Sequence, residues 1–177
     1  MQYLLITLSL ISFIFLNTNE PKTENWYFLG GSGISSTGEI GGVGTGTAFD
    51  AGFYWHYNKN TLYGFGVTGK SETLFIEEEL RKKFDLTILP SLNLIHFKND
   101  FGRGVFFRLG IGLADASFEE TINDEIIYEN QLFGLGYVMG CGYSYDYKGK
   151  SRYMFSVQYG NSSVSLDYIS FKFTGLW

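Results

Sequence analysis

The sequence is poor in the residues on which disulfide-bonded domains and metal sites depend. Its 177 residues include 1 cysteine, 2 histidines and 2 prolines. One cysteine excludes an internal disulfide, and this composition excludes a metal site built from several His and Cys ligands. We therefore expect no metal and no other cofactor. We interpret the single cysteine, Cys141, as a small lipid-facing side chain rather than a reactive thiol.

Positive charge and long apolar runs are also scarce. The net charge of −5 and the pI near 5.0 give no basic surface for nucleic acid, so we expect no nucleic-acid partner. Beyond the N-terminal region no run of 18 apolar residues occurs, which excludes a membrane-spanning helix there. Any membrane crossing must therefore be made by β-strands.

The N-terminal region has the pattern of an export signal. Leu4 to Leu16 is an apolar run of 13 residues, too short to span a bilayer as a helix but suited to a signal-peptide core. We predict a signal peptide over residues 1–19 and one domain over residues 20–177. An uncleaved anchor or a buried strand is the alternative interpretation of this run.

The rest of the chain is rich in glycine and aromatic residues, with 23 Gly, 13 Tyr and 17 Phe, which favours an all-β fold. The clearest pattern lies between Leu132 and Tyr147. Every second residue there is apolar or aromatic, and the intervening residues are mostly glycine, serine and a carboxylate. A period of two indicates a strand with one bulky and one small face.

Similar patterns predict eight strands. Seven of them cover residues 26–36, 44–57, 62–72, 84–97, 104–118, 132–147 and 152–160, and the eighth ends at Trp177. Alternate connections are short (58–61, 98–103, 148–151), whereas those on the other side include longer ones (37–43, 73–83, 119–131). This asymmetry is typical of outer-membrane barrels, so we predict an eight-stranded antiparallel transmembrane β-barrel with an up-and-down meander. Pro90 predicts a local bulge or kink in the fourth strand.

The two strand faces must be assigned to lipid and to the barrel interior. An eight-stranded barrel has room inside for side chains only, and the glycine-rich faces suit such an interior better than an apolar ligand cavity. We therefore predict bulky residues outside, with aromatic residues near both membrane interfaces. A soluble lipocalin-like barrel with the opposite orientation is the alternative. The predicted interior polar residues are Asp50, Lys70, Asp85, Asn93, Arg108, Asp146, Gln158 and Lys172.

The C-terminal strand carries a family resemblance. Ile169, Phe171 and Phe173 alternate with polar residues, and Trp177 closes the chain. This resembles the C-terminal signal that the barrel-assembly machinery reads, although Gly175 stands where a hydrophobic residue is usual. With the predicted signal peptide and eight strands, the chain resembles the small OmpA/OmpX-type barrels. The resemblance implies a location in the outer membrane, among its lipids; we also expect a monomer.

The connection over residues 119–131 is the main candidate for an interaction with an extracellular protein. Apolar residues flank its centre, which predicts that strands five and six continue beyond the membrane and present an edge to a partner, as in OmpX-like barrels. A divalent-cation site, a negatively charged patch that meets a basic partner, and a solvated hairpin tip are the alternatives. Its acidic residues are Glu119, Glu120, Asp124, Glu125 and Glu129.

Other candidate sites are weaker. Residues 73–83 suit either a short helix with i,i+4 ion pairs or a hairpin tip. Their cations either contact lipopolysaccharide phosphates or are simply solvated. His56 and His96, at strand ends, are expected to be surface residues rather than ligands of a shared metal. Residues 158–164 are faintly similar to the His-x-Ser-Asn signature of lipid A deacylases. However, Gln158 and Gly160 replace the base and the nucleophile, and Asn161 alone matches.

These observations predict a non-catalytic outer-membrane protein with a structural or adhesin-like surface-interaction role. A narrow conduit for small solutes or lipids is the second hypothesis, because interior glycines leave some space. A lipid-modifying outer-membrane enzyme is the third.

Overall fold

Eight long antiparallel strands make up the protein in a computed structural model that describes residues 26–39, 42–75, 80–99, 101–123, 125–147 and 151–177. The predicted signal peptide (1–19), Asp124, residues 77–79 and most of the predicted turn at 148–151 lie outside these residues. Within the described residues, no helix is long and apolar enough to cross a membrane. The strands are β1 (Trp26–Glu39), β2 (Gly42–Asn58), β3 (Thr61–Phe75), β4 (Leu80–Phe97), β5 (Gly104–Ile122), β6 (Glu125–Tyr147), β7 (Ser151–Ser162) and β8 (Ser165–Leu176).

The strands close into a barrel in chain order. Each strand pairs antiparallel with the next, and β1 pairs with β8 in a register that places Leu29 opposite Leu176. The backbone of Trp177 adds two hydrogen bonds of 2.9 Å with that of Phe28 at this seam. The predicted eight-stranded antiparallel meander is confirmed. Closure leaves no open strand edge within the ring.

Bulky side chains cover the outside of the barrel, as predicted. On β5, the outward residues from Val105 to Leu113 are 40–58% exposed, whereas Phe106 and Arg108 between them are buried. These eight residue steps cover about 27 Å along the strand, or roughly 20 Å of height once the strand tilt is included. An apolar belt of this height suits the hydrocarbon layer of an outer membrane. The outward apolar belt is the reverse of a soluble lipocalin-like barrel.

The interior consists of three layers. An apolar cluster at the end that holds the 59–60 and 98–103 turns includes Tyr54, Phe97 and Phe106. A second apolar cluster toward the other end includes Phe84, Leu86 and Tyr168. Most of the buried polar residues lie between them. Small residues make this filling possible: at Gly160, any side-chain carbon would collide with the ring of Tyr168.

The fourth strand departs from the predicted alternation. Between Ile88, opposite Ala114, and Ser91, opposite Gly112, β4 carries one residue more than β5. Leu89 and Pro90 are consequently both exposed, and the inward side chains change from even to odd numbers. The prediction that Asp85 lies inside the barrel is therefore wrong. Asp85 is paired with the outward residues Ser71 and Ser117 and lies on the outer face.

The three longer connections predicted from the sequence are largely strand. β3 reaches Phe75 and β4 begins at Leu80, so the helix over residues 73–83 does not form in the described part. Likewise β5 continues to Ile122 and β6 begins at Glu125, as the apolar residues flanking the 119–131 connection suggested. The outer ends of β3 to β6 thus form a continuous sheet beyond the belt, which we call the exposed sheet: residues 71–75, 80–85, 117–122 and 125–134.

Candidate functional site

A charged network occupies the middle of the barrel. The Asp50 carboxylate on β2 contacts Arg108 Nη1 at 2.6 Å and Lys172 Nζ at 3.1 Å. Gln158 Nε2 also donates to Asp50, at 3.2 Å. All four side chains are buried. A single carboxylate thus joins β2 to strands β5, β7 and β8, and the contact between β2 and β5 crosses the interior.

The cations of this network have further partners. Arg108 donates to Asn93 Oδ1 through Nε at 3.3 Å and Nη2 at 3.0 Å, and Asn93 in turn donates to Ser91. Lys172 donates to Thr68 Oγ1 at 2.7 Å and to the Phe49 carbonyl at 3.3 Å. These hydrogen bonds compensate the loss of water around the buried charges. The network therefore links strands on different sides of the barrel through buried ion pairs and hydrogen bonds.

A second buried ion pair lies beside this network. Lys70 Nζ is 3.2 Å from Glu72 Oε2, and both side chains are buried. The ammonium also lies 4.2 Å from the centre of the Phe84 ring and 5.1 Å from that of Tyr168. Glu72 was missed by the sequence analysis. Its position two residues after Lys70, on the same strand face, was the available signal.

Most of the predicted interior residues lie inside, but they do not form one cluster. Asp50, Asn93, Arg108, Gln158 and Lys172 share the central network, and Lys70 lies in the neighbouring pair. Asp146 lies at the barrel end that holds the 98–103 turn, where it pairs with the exposed Arg103 at 3.1 Å. Asp85, on the outer face, pairs with Lys83 at 2.8 Å.

The residues weighed for other chemistry do not converge. His56 contacts Tyr27 and the Asn58 carbonyl, whereas His96 contacts Thr61. In the described ranges, no three His, Cys, Asp or Glu side chains are grouped as metal ligands. In the deacylase-like segment, Gln158 points inward to Asp50, while Asn161 donates to Asp167 on the outer face.

The exposed sheet ends at an unpaired strand edge. β6 pairs with β5 along its length but with β7 only from Gly136 onward. At the preceding residue, the Leu135 N–H donates to Ser163 Oγ at 3.0 Å, and the Leu135 carbonyl accepts from the Ser163 N–H at 2.8 Å. No described strand pairs with residues 125–134 on that side. Because alternate residues direct their N–H and C=O groups the same way, those of Glu129, Gln131 and Phe133 point to the open edge.

The side chains of the exposed sheet are partly paired. Lys82 Nζ is 2.7 Å from Glu120 Oε1, and Asp115 accepts a hydrogen bond of 2.9 Å from Gln131. Glu125 and Glu129, the acidic residues of the β6 edge, have no ion pair with any described residue. Phe133 is 72% exposed just below them. Of the predicted interaction residues, Glu119 and Glu120 lie on β5, Glu125 and Glu129 on β6, and Asp124 outside the described residues.

The residues of the C-terminal signal lie on the lipid-facing side. Ile169, Phe171 and Phe173 are exposed on β8. The Trp177 ring stacks on Phe28 with centroids 5.9 Å apart. Gly175, between Phe173 and Trp177, is covered by the Trp177 ring, and a side chain there would collide with it. The glycine that departs from the usual signal therefore makes room for the terminal tryptophan.

Comparison with solved structures identifies the fold. Neisserial surface protein A is 11% identical, with a TM-score of 0.56 over 86% of this chain and 96% of its own. Ail of Yersinia pestis, in complex with the heparin analogue sucrose octasulfate, is 9% identical, with a TM-score of 0.60 over 86% of this chain and 97% of its own. The N-terminal barrel domain of Pseudomonas aeruginosa OprF is 11% identical, with a TM-score of 0.50 over 87% of this chain and 98% of its own.

The protein is thus an eight-stranded β-barrel with the fold of outer-membrane proteins of the OmpA/OmpX type. The resemblance predicted from the sequence is confirmed for the fold, and the outer-membrane location agrees with these matches. No protein-family model and no curated protein matches the sequence.

Proposed function

We propose that this protein is a non-catalytic surface protein of an outer membrane and that it binds an extracellular protein at the exposed sheet. The open edge of β6 carries the proposal. An unpaired edge offers a row of backbone donors and acceptors, and an extended segment of another protein satisfies them by joining the sheet. The edge from Glu125 to Gln131 lies beyond the apolar belt, where a soluble partner can reach it.

The interior favours this role over that of a conduit. Asp50 and Arg108 meet across the interior from strands that are not neighbours, and an apolar cluster lies on either side of their network. A solute would have to separate buried ion pairs, which costs several kcal/mol when the charges lose their partners. The conduit hypothesis predicts discrete current steps in planar bilayers, whereas a closed interior gives none.

The remaining parts of the proposal concern how the barrel reaches the membrane. Residues 1–19 direct export. The β8 residues Ile169, Phe171 and Phe173, together with Trp177, present the assembly signal to the barrel-assembly machinery. The barrel stands in the outer-membrane lipid as a monomer, a proposal supported by the closure of the ring within one chain.

The edge hypothesis is tested by removing one backbone donor. Gln131→Pro deletes an N–H that points to the open side, so it leaves the β5–β6 ladder intact. The matched control, Gln131→Ala, keeps the N–H and removes only the side chain. The probe is a labelled ten-residue peptide of alternating threonine and valine, titrated by fluorescence anisotropy against the full chain in lipid nanodiscs.

We expect the peptide to bind the wild-type protein and the Ala variant, and to bind the Pro variant at least about tenfold more weakly, because the edge loses a hydrogen bond and gains a steric block. Equal binding to the Pro variant, or no binding to the wild-type protein, would contradict the proposal.

A further inference from the structure

One row of side chains crosses the outer face of the exposed sheet and ends at the open edge. Thr73 on β3 is opposite Lys83 on β4, Lys83 is opposite Glu119 on β5, and Glu119 is opposite Glu129 on β6. Opposite charges on adjacent strands stabilise a sheet, and like charges destabilise it. Lys83 is the cation opposite Glu119, although its ammonium contacts Asp85 at 2.8 Å, so Glu119 has a positive neighbour on one side only. Glu129 therefore faces a carboxylate on its paired side and no charge on its open side.

The edge strand itself supplies no compensating charge. From Glu125 to Tyr147, β6 contains no lysine or arginine. Glu125 and Glu129 are both exposed. The unpaired backbone groups of β6 thus lie next to uncompensated negative charge.

The neighbouring positions define what else a docked strand would meet. Below Glu129 on the same face come the Gln131 amide and then the exposed Phe133 ring at the top of the belt. On the opposite face Leu132, opposite Ala116, is partly exposed and apolar. A strand laid along the edge would therefore contact a carboxylate, an amide and an aromatic ring on one face, and an aliphatic side chain on the other.

We propose that the partner of the β6 edge is an extended protein segment with a lysine or arginine opposite Glu129 and apolar residues opposite Leu132 and Phe133. This inference rests on the proposed function. A docked cation gives the row the order Lys83, Glu119, Glu129, cation, so that the two adjacent carboxylates lie between two positive charges. A second copy of this protein fits the edge less well, because it would bring its own Glu125 and Glu129 against the first pair.

The test compares three labelled ten-residue peptides in which valine alternates with lysine, threonine or glutamate. Each is titrated by anisotropy against the full chain in nanodiscs of uncharged lipid, at low and at high salt. We expect the lysine peptide to bind most tightly and the glutamate peptide most weakly. The lysine peptide should lose its advantage at high salt, because the pair is solvent-exposed.

Variants locate the effect at one position. Glu129→Gln should weaken binding of the lysine peptide by up to about fivefold, the usual range for one cross-strand charge pair, and leave the threonine peptide unchanged. Glu129→Lys should make the glutamate peptide the preferred one. Asp146→Asn, which removes the same charge at the other end of the barrel, is the matched control and should change nothing.

Each outcome decides a separate point. If all peptides bind equally and Gln131→Pro still abolishes binding, the edge-binding function stands and the basic partner is rejected. If Glu129→Gln and Asp146→Asn weaken binding equally, the attraction is a general effect of net charge and the inference is overturned. If no peptide binds the wild-type protein, the inference and the proposed function both fail.

Discussion

Charged side chains are paired in the barrel interior but partly unpaired on the exposed sheet. Inside the barrel, Asp50 contacts two cations and an amide, and each of the cations has further partners. On the exposed sheet, Glu129 faces another carboxylate and has no cation among the described residues. Both arrangements belong to one continuous sheet, since β3, β4 and β5 contribute to each.

The difference follows from the solvent of each region. A charge inside a membrane-embedded barrel cannot be hydrated by bulk water, so an unpaired one costs several kcal/mol. A charge in water costs little when it stays unpaired, and a surface ion pair adds only about 0–1 kcal/mol. Paired charges therefore brace the interior, and unpaired charges on the outside remain free for a partner.

The largest expected effect is the loss of the central carboxylate. Asp50→Asn leaves Arg108 and Lys172 buried beside each other without a counter-charge, so we expect a loss of about 3–5 kcal/mol in unfolding free energy. The measurement is urea unfolding from lipid vesicles, followed by tryptophan fluorescence. Adding Lys172→Met should recover part of the loss, because it removes one of the two unpaired cations. If Asp50→Asn alone is as stable as the wild-type protein, the network does not stabilise the barrel.

The next effect concerns interior volume. Gly160→Val places a branched side chain against the Tyr168 ring, and we expect a loss of about 1–3 kcal/mol from overpacking. The matched control is Cys141→Val, because Cys141 faces lipid and lies on the neighbouring strand β6. The control should stay within about 0.5 kcal/mol of the wild-type protein in the same unfolding measurement. Equal losses for the two variants would contradict the assigned faces.

A smaller effect is expected from shortening the exposed sheet. Replacing residues 120–128 with Asn-Gly joins the opposed residues Glu119 and Glu129 by a tight turn. The barrel should retain its heat-dependent shift on SDS gels and lose no more than about 1 kcal/mol, since the ion pair removed, Lys82–Glu120, is partly exposed to solvent. Peptide binding should weaken, because much of the open edge is gone. Failure to fold would mean that the exposed sheet stabilises the barrel.

The number of strands and the lipid-facing side could be predicted from the sequence because the membrane imposes strict alternation. Between Leu132 and Tyr147 that alternation is unbroken, and the structure places the bulky residues outside as expected. Beyond the belt the outward face is in water, and polar residues such as Glu119 no longer contrast with the inward ones. The sequence therefore predicted that β5 and β6 continue beyond the membrane, but it did not give the residues at which they end.

Three features of the sites required the structure itself. The extra residue at Leu89–Pro90 moves Asp85 to the outside, and Pro90 marked the irregularity without giving its size. The open edge depends on where β7 ends relative to β6, which is a property of strand register. Cross-barrel partners such as Asp50 and Arg108 also depend on register and closure, so the sequence identified them as interior residues but not as a pair.

The smallest expected effect is at Asp85, the carboxylate that β4 turns outward. Its pair with Lys83 lies beyond the belt and is partly exposed, so Asp85→Asn should cost less than about 1 kcal/mol, far less than Asp50→Asn.

The hydrogen bond to Asp85 raises the pKa of Lys83 above its usual 10.5. The stability that this pair contributes is therefore present below pH 10.5 and is lost as the pH rises through the higher folded pKa. As the pH rises above 9, the free energy of unfolding should fall slightly less in Asp85→Asn than in the wild-type protein. A loss at neutral pH as large as that of Asp50→Asn would place Asp85 inside the barrel and overturn the outward assignment of this part of β4.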